Sequence, residues 1–144
     1  SMDSIASAAE SPPQISLHQA AVDRDGAMEY WSLGWRITNR GASALRVVAA
    51  RLPHGQFKSA EIRFEPPLDL SPGASEQFQT SVRCDEPRGL VTENAFVIFH
   101  VIWLGEPWRI FARVSVVVDG EGKPAATTES VTTQKVGFSG ITRS

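Results

Sequence analysis

A single cysteine, Cys84, occurs in 144 residues, so no intrachain disulfide can form and the disulfide-framework class of small secreted folds is excluded. A lone thiol fits a reducing compartment. The expected location is therefore cytoplasmic, or extracytoplasmic if the chain is a domain excised from a longer protein. Ser1-Met2 reads as a cloning remnant at or around a start codon. Excess charge is also lacking: 14 Lys and Arg stand against 16 Asp and Glu, for a net charge of -2. With no basic run either, nothing draws the chain to phosphate backbones or anionic lipid, and neither nucleic acid nor membrane is an expected partner. No stretch approaches the roughly 18 to 20 continuous apolar residues of a transmembrane helix. The N-terminus lacks the basic, apolar, small-residue order of a signal peptide. Segments of helical period are missing as well. The nine prolines and eleven glycines fall mostly between apolar segments, where each would break a helix interior.

What is present alternates. Tyr30 to Asn39 places Trp31, Leu33, Trp35 and Ile37 on one parity and Ser32, Gly34, Arg36 and Thr38 on the other, the pattern of a half-buried strand. Ala44 to Leu52 is expected to oppose Leu45, Val47 and Ala49 to Arg46, Val48 and Ala50. Gln14 to Val22, Phe57 to Glu65 (closed by Pro66-Pro67) and Glu76 to Cys84 add three further strands, the last an edge strand with only Phe78 and Val82 apolar among polar neighbours. The strongest signal runs from Asn94 to Asp119. Two apolar segments, Ala95 to Leu104 and Trp108 to Val118, flank a Gly105-Glu106-Pro107 break and read as a hairpin. In the second segment Trp108, Ile110, Ala112, Val114 and Val116 alternate with Arg109, Phe111, Arg113 and Ser115. The first is apolar on both parities, interrupted only by His100, so one face meets the core and something else must cover the other.

About seven strands with a turn signal every ten to fifteen residues argue for an all-β fold, a two-sheet antiparallel sandwich. The turn after the Trp-rich strand, Thr38-Asn39-Arg40-Gly41, and the later Leu70-Ser71-Pro72-Gly73-Ala74-Ser75 resemble the immunoglobulin-like modules of the cell-adhesion-related bacterial type. The resemblance covers Gln14 to Asp119 and implies an immunoglobulin-like sandwich used for protein contacts or as a spacer. It departs from antibody-type domains, which carry a pair of cysteines around a core Trp. The expected division is a flexible leader over residues 1–13, rich in Ser, Ala and Pro, a sandwich over 14–119, and a C-terminal extension or docking arm over 120–144.

Catalytic chemistry finds little to stand on. His18, His54 and His100 lie far apart in sequence with no Cys or carboxylate at metal-ligand spacing. Asp23-Arg24-Asp25-Gly26 opens like a calcium loop but lacks the later ligands and the bidentate Glu, and reads as a turn. Cys84, between Arg83 and Asp85-Glu86, has no clear push toward thiolate. Asp119-Gly120-Glu121-Gly122 is too acidic to cradle phosphate. No catalytic residue, metal or cofactor is expected.

Two functions compete. The first is a protein-binding or assembly module whose partner is another protein or a second copy of the chain. Its face is either Phe96, Ile98, His100, Ile102 and Leu104, with Phe111 and Arg113 beside them, or Val97, Phe99, Val101 and Trp103. An even-numbered hairpin loop would set His100 near Arg113 on the first of these faces, whereas a three-residue loop would turn that face inward. The second is a carbohydrate-binding sandwich using Trp108 at the hairpin tip with Arg109 and Glu106, since Trp31 and Trp35 share the apolar parity of their strand and belong to the core. The tail, Thr127 to Val136, is too polar for a core strand, yet Val131, Val136, Phe138 and Ile141 are apolar anchors. Such an arm either stays free or docks on this domain or a neighbour.

Overall fold

The computed structural model describes residues 11–26 and 29–136. Residues 1–10 of the expected leader, and Phe138 and Ile141 of the expected arm, lie outside the described residues. Among the described residues all the regular structure is strand: β1 (Ile15–Arg24), β2 (Tyr30–Asn39), β3 (Leu45–His54), β4 (Phe57–Leu70), β5 (Ser75–Arg83), β6 (Val91–Trp103), β7 (Glu106–Val118) and β8 (Pro124–Lys135). Among the described residues no helix is long and apolar enough to cross a membrane.

The eight strands pair antiparallel in the order β1-β2-β5-β4-β3-β6-β7-β8, one sheet that curls until its ends nearly meet. The described residues form eight strands where seven were expected. The additional strand is β8, paired with β7 from Trp108↔Lys135 to Val118↔Pro124. Side chains rather than a backbone ladder close the gap between β8 and β1. Gln19 Nε2 donates to the Pro124 carbonyl at 3.1 Å, the Ala126 N–H donates to Gln19 Oε1, and Thr128 Oγ1 donates to the Leu17 carbonyl at 2.8 Å. A second weak seam lies between β4 and β5, which pair only at Lys58↔Arg83. Along its whole length β5 has β2 as its ladder partner on the other edge.

The core forms where the two halves of this curled sheet face each other. Trp35 of β2 meets Phe57 of β4 edge-on at 6.3 Å between ring centroids, and Phe78 of β5 meets Phe64 and Phe99 at 5.4 and 5.8 Å, the T-shaped spacing that aromatic quadrupoles favour. The buried indoles find acceptors. Trp31 Nε1 donates to the Cys84 carbonyl at 3.3 Å, Trp35 Nε1 to Thr80 Oγ1 at 2.9 Å, and Trp103 Nε1 to the Ser11 carbonyl at 2.9 Å. That last bond ties residue 11, at the end of the expected leader, onto the domain.

Strand β3 departs from strict alternation. Its register shifts between Val47 and Ala49, so the core parity passes from Leu45 and Val47 to Ala50 and Leu52. Ala49 and Ala50 therefore exchange the sides expected of them, and Arg51 turns outward with Arg46. A β-bulge does this by inserting one unpaired residue. The same irregularity accommodates the two prolines of β4. Pairing with β3 jumps from Ala49↔Arg63 to Val47↔Leu68, leaving Phe64–Pro67 without ladder partners, so Pro66 and Pro67 withhold no needed N–H. The strand then resumes to Leu70 instead of ending at Glu65.

Candidate functional site

Strands β6 and β7 form a tight hairpin, with Trp103 opposite Glu106 and only Leu104 and Gly105 between them. Both loop residues have positive φ, 53° and 77°, the two-residue I′ geometry that matches strand twist. The turn is thus one residue earlier than expected, and Glu106 and Pro107 belong to β7. Pro107 fits there because it lies opposite Ile102 next to the loop-closing pair, while its carbonyl accepts from the Val136 N–H at 3.0 Å.

This register decides which parity faces out. Ala95, Val97, Phe99, Val101 and Trp103 are buried in the core cluster together with Ile110, Ala112, Val114, Val116 and Val118. Phe96, Ile98, His100, Ile102 and Leu104 point away from it. Across the hairpin Phe96 faces Arg113, Ile98 faces Phe111, His100 faces Arg109 and Ile102 faces Pro107. His100 therefore sits opposite Arg109 rather than Arg113, which is four residues further along β7. Arg113 Nε instead donates to Ser130 Oγ on β8 at 3.1 Å, and its Nη1 to Asn94 Oδ1 at 3.3 Å.

On the other side of β6, Ile102 faces Arg46, His100 faces Ala49 and Ile98 faces Arg51. Facing pairs of this kind bring Cβ atoms within about 5 Å, so the outward surface is a mosaic of apolar side chains and arginines. It lacks a second layer of strands or helices among the described residues, yet Ile98 is only 7% exposed and Ala49 0% although neither belongs to the core cluster. The cover comes from the sheet's own side chains. Arginine stems lying along an apolar surface bury methylenes while their heads remain near water. The Nε atoms of Arg51 and Arg109, shielded from solvent and without a hydrogen-bond partner, fit guanidinium groups lying down on the sheet.

His100 sits within this cationic surface. Its Nε2 is 3.9 Å from Glu61 Oε1, and Glu61 also lies 3.7 Å from Arg63. Desolvation holds the imidazole pKa below its ordinary value; Arg109, Arg51 and Arg63 push the same way and Glu61 opposes them. At the tip, Leu104 is an exposed large apolar residue at 48%. Beside it a shallow depression of about 500 Å³ is lined by Ala44, Arg46, Asp69, Ile102 and Leu104 among others, with Arg46 Nε bound to Asp69 Oδ1 at 2.8 Å on its rim.

The expected sugar-binding trio is not drawn together. Trp108 packs against the core cluster, with Lys135 Nζ 5.9 Å from its ring centroid. Glu106 is ion-paired to Lys135 at 2.8 Å. Arg109, the next residue along an extended strand, faces the opposite side. Among the described residues no group of three or more His, Cys, Asp or Glu is placed to hold a metal ion. Cys84 is buried, its thiol pKa raised first by desolvation and then by Glu86.

Arg51, Arg63 and Glu61 belong to this surface and had no place in the sequence-based expectation. The bulge in β3 hides Arg51 from any alternation rule, and only the β3↔β4 and β3↔β6 registers bring β4 alongside His100. No family model matches the chain, and no curated protein matches it.

Proposed function

We propose that this chain is a non-enzymatic protein-binding module of immunoglobulin-like build, and that the outward side of β6 and β7 is its docking face. The strand order supports the architecture. In chain order the first, second and fifth strands lie together, as do the third, sixth and seventh, the neighbour relations of the two immunoglobulin sheets. The fourth strand bridges the two groups, pairing extensively with β3 and once with β5. The edge-on contact of Phe78 on β5 with Phe99 on β6 joins these two groups across the core, which supports a packing of two facing layers. On this reading β8 is an addition beside the seventh strand.

The observation that carries the binding role is the surface mosaic: Phe96, Ile102, Leu104 and Phe111 remain accessible in part or fully among Arg51, Arg109 and Arg113. Aromatic residues and arginine are the types enriched where proteins meet. A photo-crosslinker placed at Ile102 should form adducts with a protein partner or with a second copy, and Phe111→Glu should abolish them. The same crosslinker at Ser32, on β2 in the other half of the fold, should form none. Equal adducts from both positions, or none from Ile102, would remove the docking face. Light scattering then separates a hetero-partner from self-association.

A further inference from the structure

We propose that Arg51, His100 and Arg109 form a carboxylate-recognition site on this face, and that the partner presents an acidic residue next to an apolar one in an extended segment. The inference rests on the docking face of the preceding section and names what docks there. Three strands converge on the site: Arg109 of β7 lies directly opposite His100 of β6, and Arg51 of β3 lies opposite Ile98, one diagonal step away. Neither Arg51 nor Arg109 forms an ion pair with a carboxylate among the described residues, in contrast to Arg46 with Asp69 and Arg63 with Glu61. Arg51 Nε, Arg109 Nε and His100 Nε2 are each shielded from solvent without a hydrogen-bond partner; side chains packed down at these atoms have less freedom to lose when an anion meets their outer nitrogens. A planar fork suits a carboxylate bidentately.

Charge decides among the occupants. A second copy docked through the same face would oppose arginines to arginines, which costs affinity, whereas an acidic segment complements them. A polyanion such as RNA would meet a chain of net charge -2 and a site interleaved with Ile98, Ile102 and Phe111. Spacing adds the apolar neighbour. The depression beside Ile102 and Leu104 begins two residues along β6 from His100, about 7 Å at the strand rise, which is the i, i+2 repeat of an extended peptide.

The groups facing His100 are Arg109 from β7, Arg51 from β3, and Arg63 and Glu61 from β4. A bound carboxylate would add negative charge on the side where these arginines now disfavour protonation. Binding should therefore tighten as pH falls from 7.5 to 5.5, and His100→Gln should remove that dependence.

The test is selection of random 12-residue peptides on the full chain, followed by fluorescence anisotropy with the best synthetic peptide. Expected are sequences with Asp or Glu two residues from an aliphatic or aromatic residue. Tenfold or greater weakening should follow both from amidating that acid and from the double change Arg51→Gln, Arg109→Gln, with the two losses less than additive when combined. Gln keeps much of the stem, and unchanged thermal unfolding midpoints verify that the variants fold. If the selected peptides lack acids, or bind the double variant as well as the parent while Ile102→Ser and Phe111→Ser abolish binding, the carboxylate site is wrong and the docking face stands. If neither pair of changes matters, both fail. An empty selection, a face-to-face homodimer, or tighter capture of a 20-nucleotide single-stranded RNA by the same arginines would each overturn the inference.

Discussion

Asn39 has every polar atom of its side chain engaged while the residue itself is 0% exposed. Its Nδ2 donates to the Ser43 and Leu70 carbonyls at 2.8 and 2.9 Å, and Oδ1 accepts from the Gly41 N–H at 2.8 Å. One amide therefore pins the β2–β3 turn to the end of β4. Asn39→Ala leaves these groups without partners and should lower stability by about 2–4 kcal/mol, measured as a shift in urea midpoint at constant m. Asn39→Asp retains the bond from Gly41 but sets a carboxylate against two carbonyl oxygens, and should be the more damaging of the two above pH 5. At the hairpin tip the sign reverses. Leu104 occupies a left-handed conformation that Asn tolerates far better, so Leu104→Asn should raise stability by about 0.5–1 kcal/mol. If Leu104 is part of the docking face, the same variant should also lose partner affinity. A gain in stability with unchanged affinity would take Leu104 out of the interface.

At the scale of elements, β8 is attached unequally along its two edges: a full ladder to β7 and only three side-chain bonds toward β1. Gln19 supplies two of those three. Gln19→Ala should cost about 1–2 kcal/mol and raise amide hydrogen exchange first at Ala126, with β7 protection little changed. Uniform acceleration across all eight strands would show that the seam does not open independently. A second prediction concerns the face of β6. Because His100 titrates below its ordinary value in the folded state, the unfolded chain takes up the proton first. Stability is then fully present above about pH 6.5 and is lost as pH falls through the folded-state pKa. The urea midpoint should drop between pH 7.5 and 5.5, and drop less in His100→Asn; an identical drop in both would assign the effect to other groups. Elements were legible in the sequence to the extent that burial was one-sided. Tyr30–Asn39 is read to the residue because Trp31, Leu33, Trp35 and Ile37 all enter one core. The outward arginine cluster was not legible, because the β3 bulge flips parity in mid-strand and periodicity carries no trace of a register. Strand β8 stayed hidden for a different reason: its residues are only half-buried or exposed after Pro124, so Thr, Ser and Gln serve as well as Val. Leu104 misled because apolar residues rarely occupy a left-handed turn position.

Taken whole, the fold has two weak seams, β1 to β8 and β4 to β5, yet a single buried cluster draws on every strand from β1 to β7. Loosening at a seam need not expose that cluster, whereas exposing the cluster should require the molecule to open as a unit. Cys84 is suited to tell these apart. It is 6% exposed, belongs to the buried cluster, and follows directly on β5, next to the β4–β5 seam. Burial, Glu86 and Asp85 all hold its thiol toward the protonated form, which slows attack on a disulfide reagent. In native buffer, labelling of Cys84 should therefore be slower than in denaturant by orders of magnitude and should proceed through opening. If the opening is global, a variant destabilised by 2 kcal/mol at the distant Asn39 should label about 30-fold faster, since each 1.4 kcal/mol is a factor of ten in the open population. If Cys84 is reached by separation of β5 from β4 alone, Asn39→Ala should leave its labelling rate nearly unchanged.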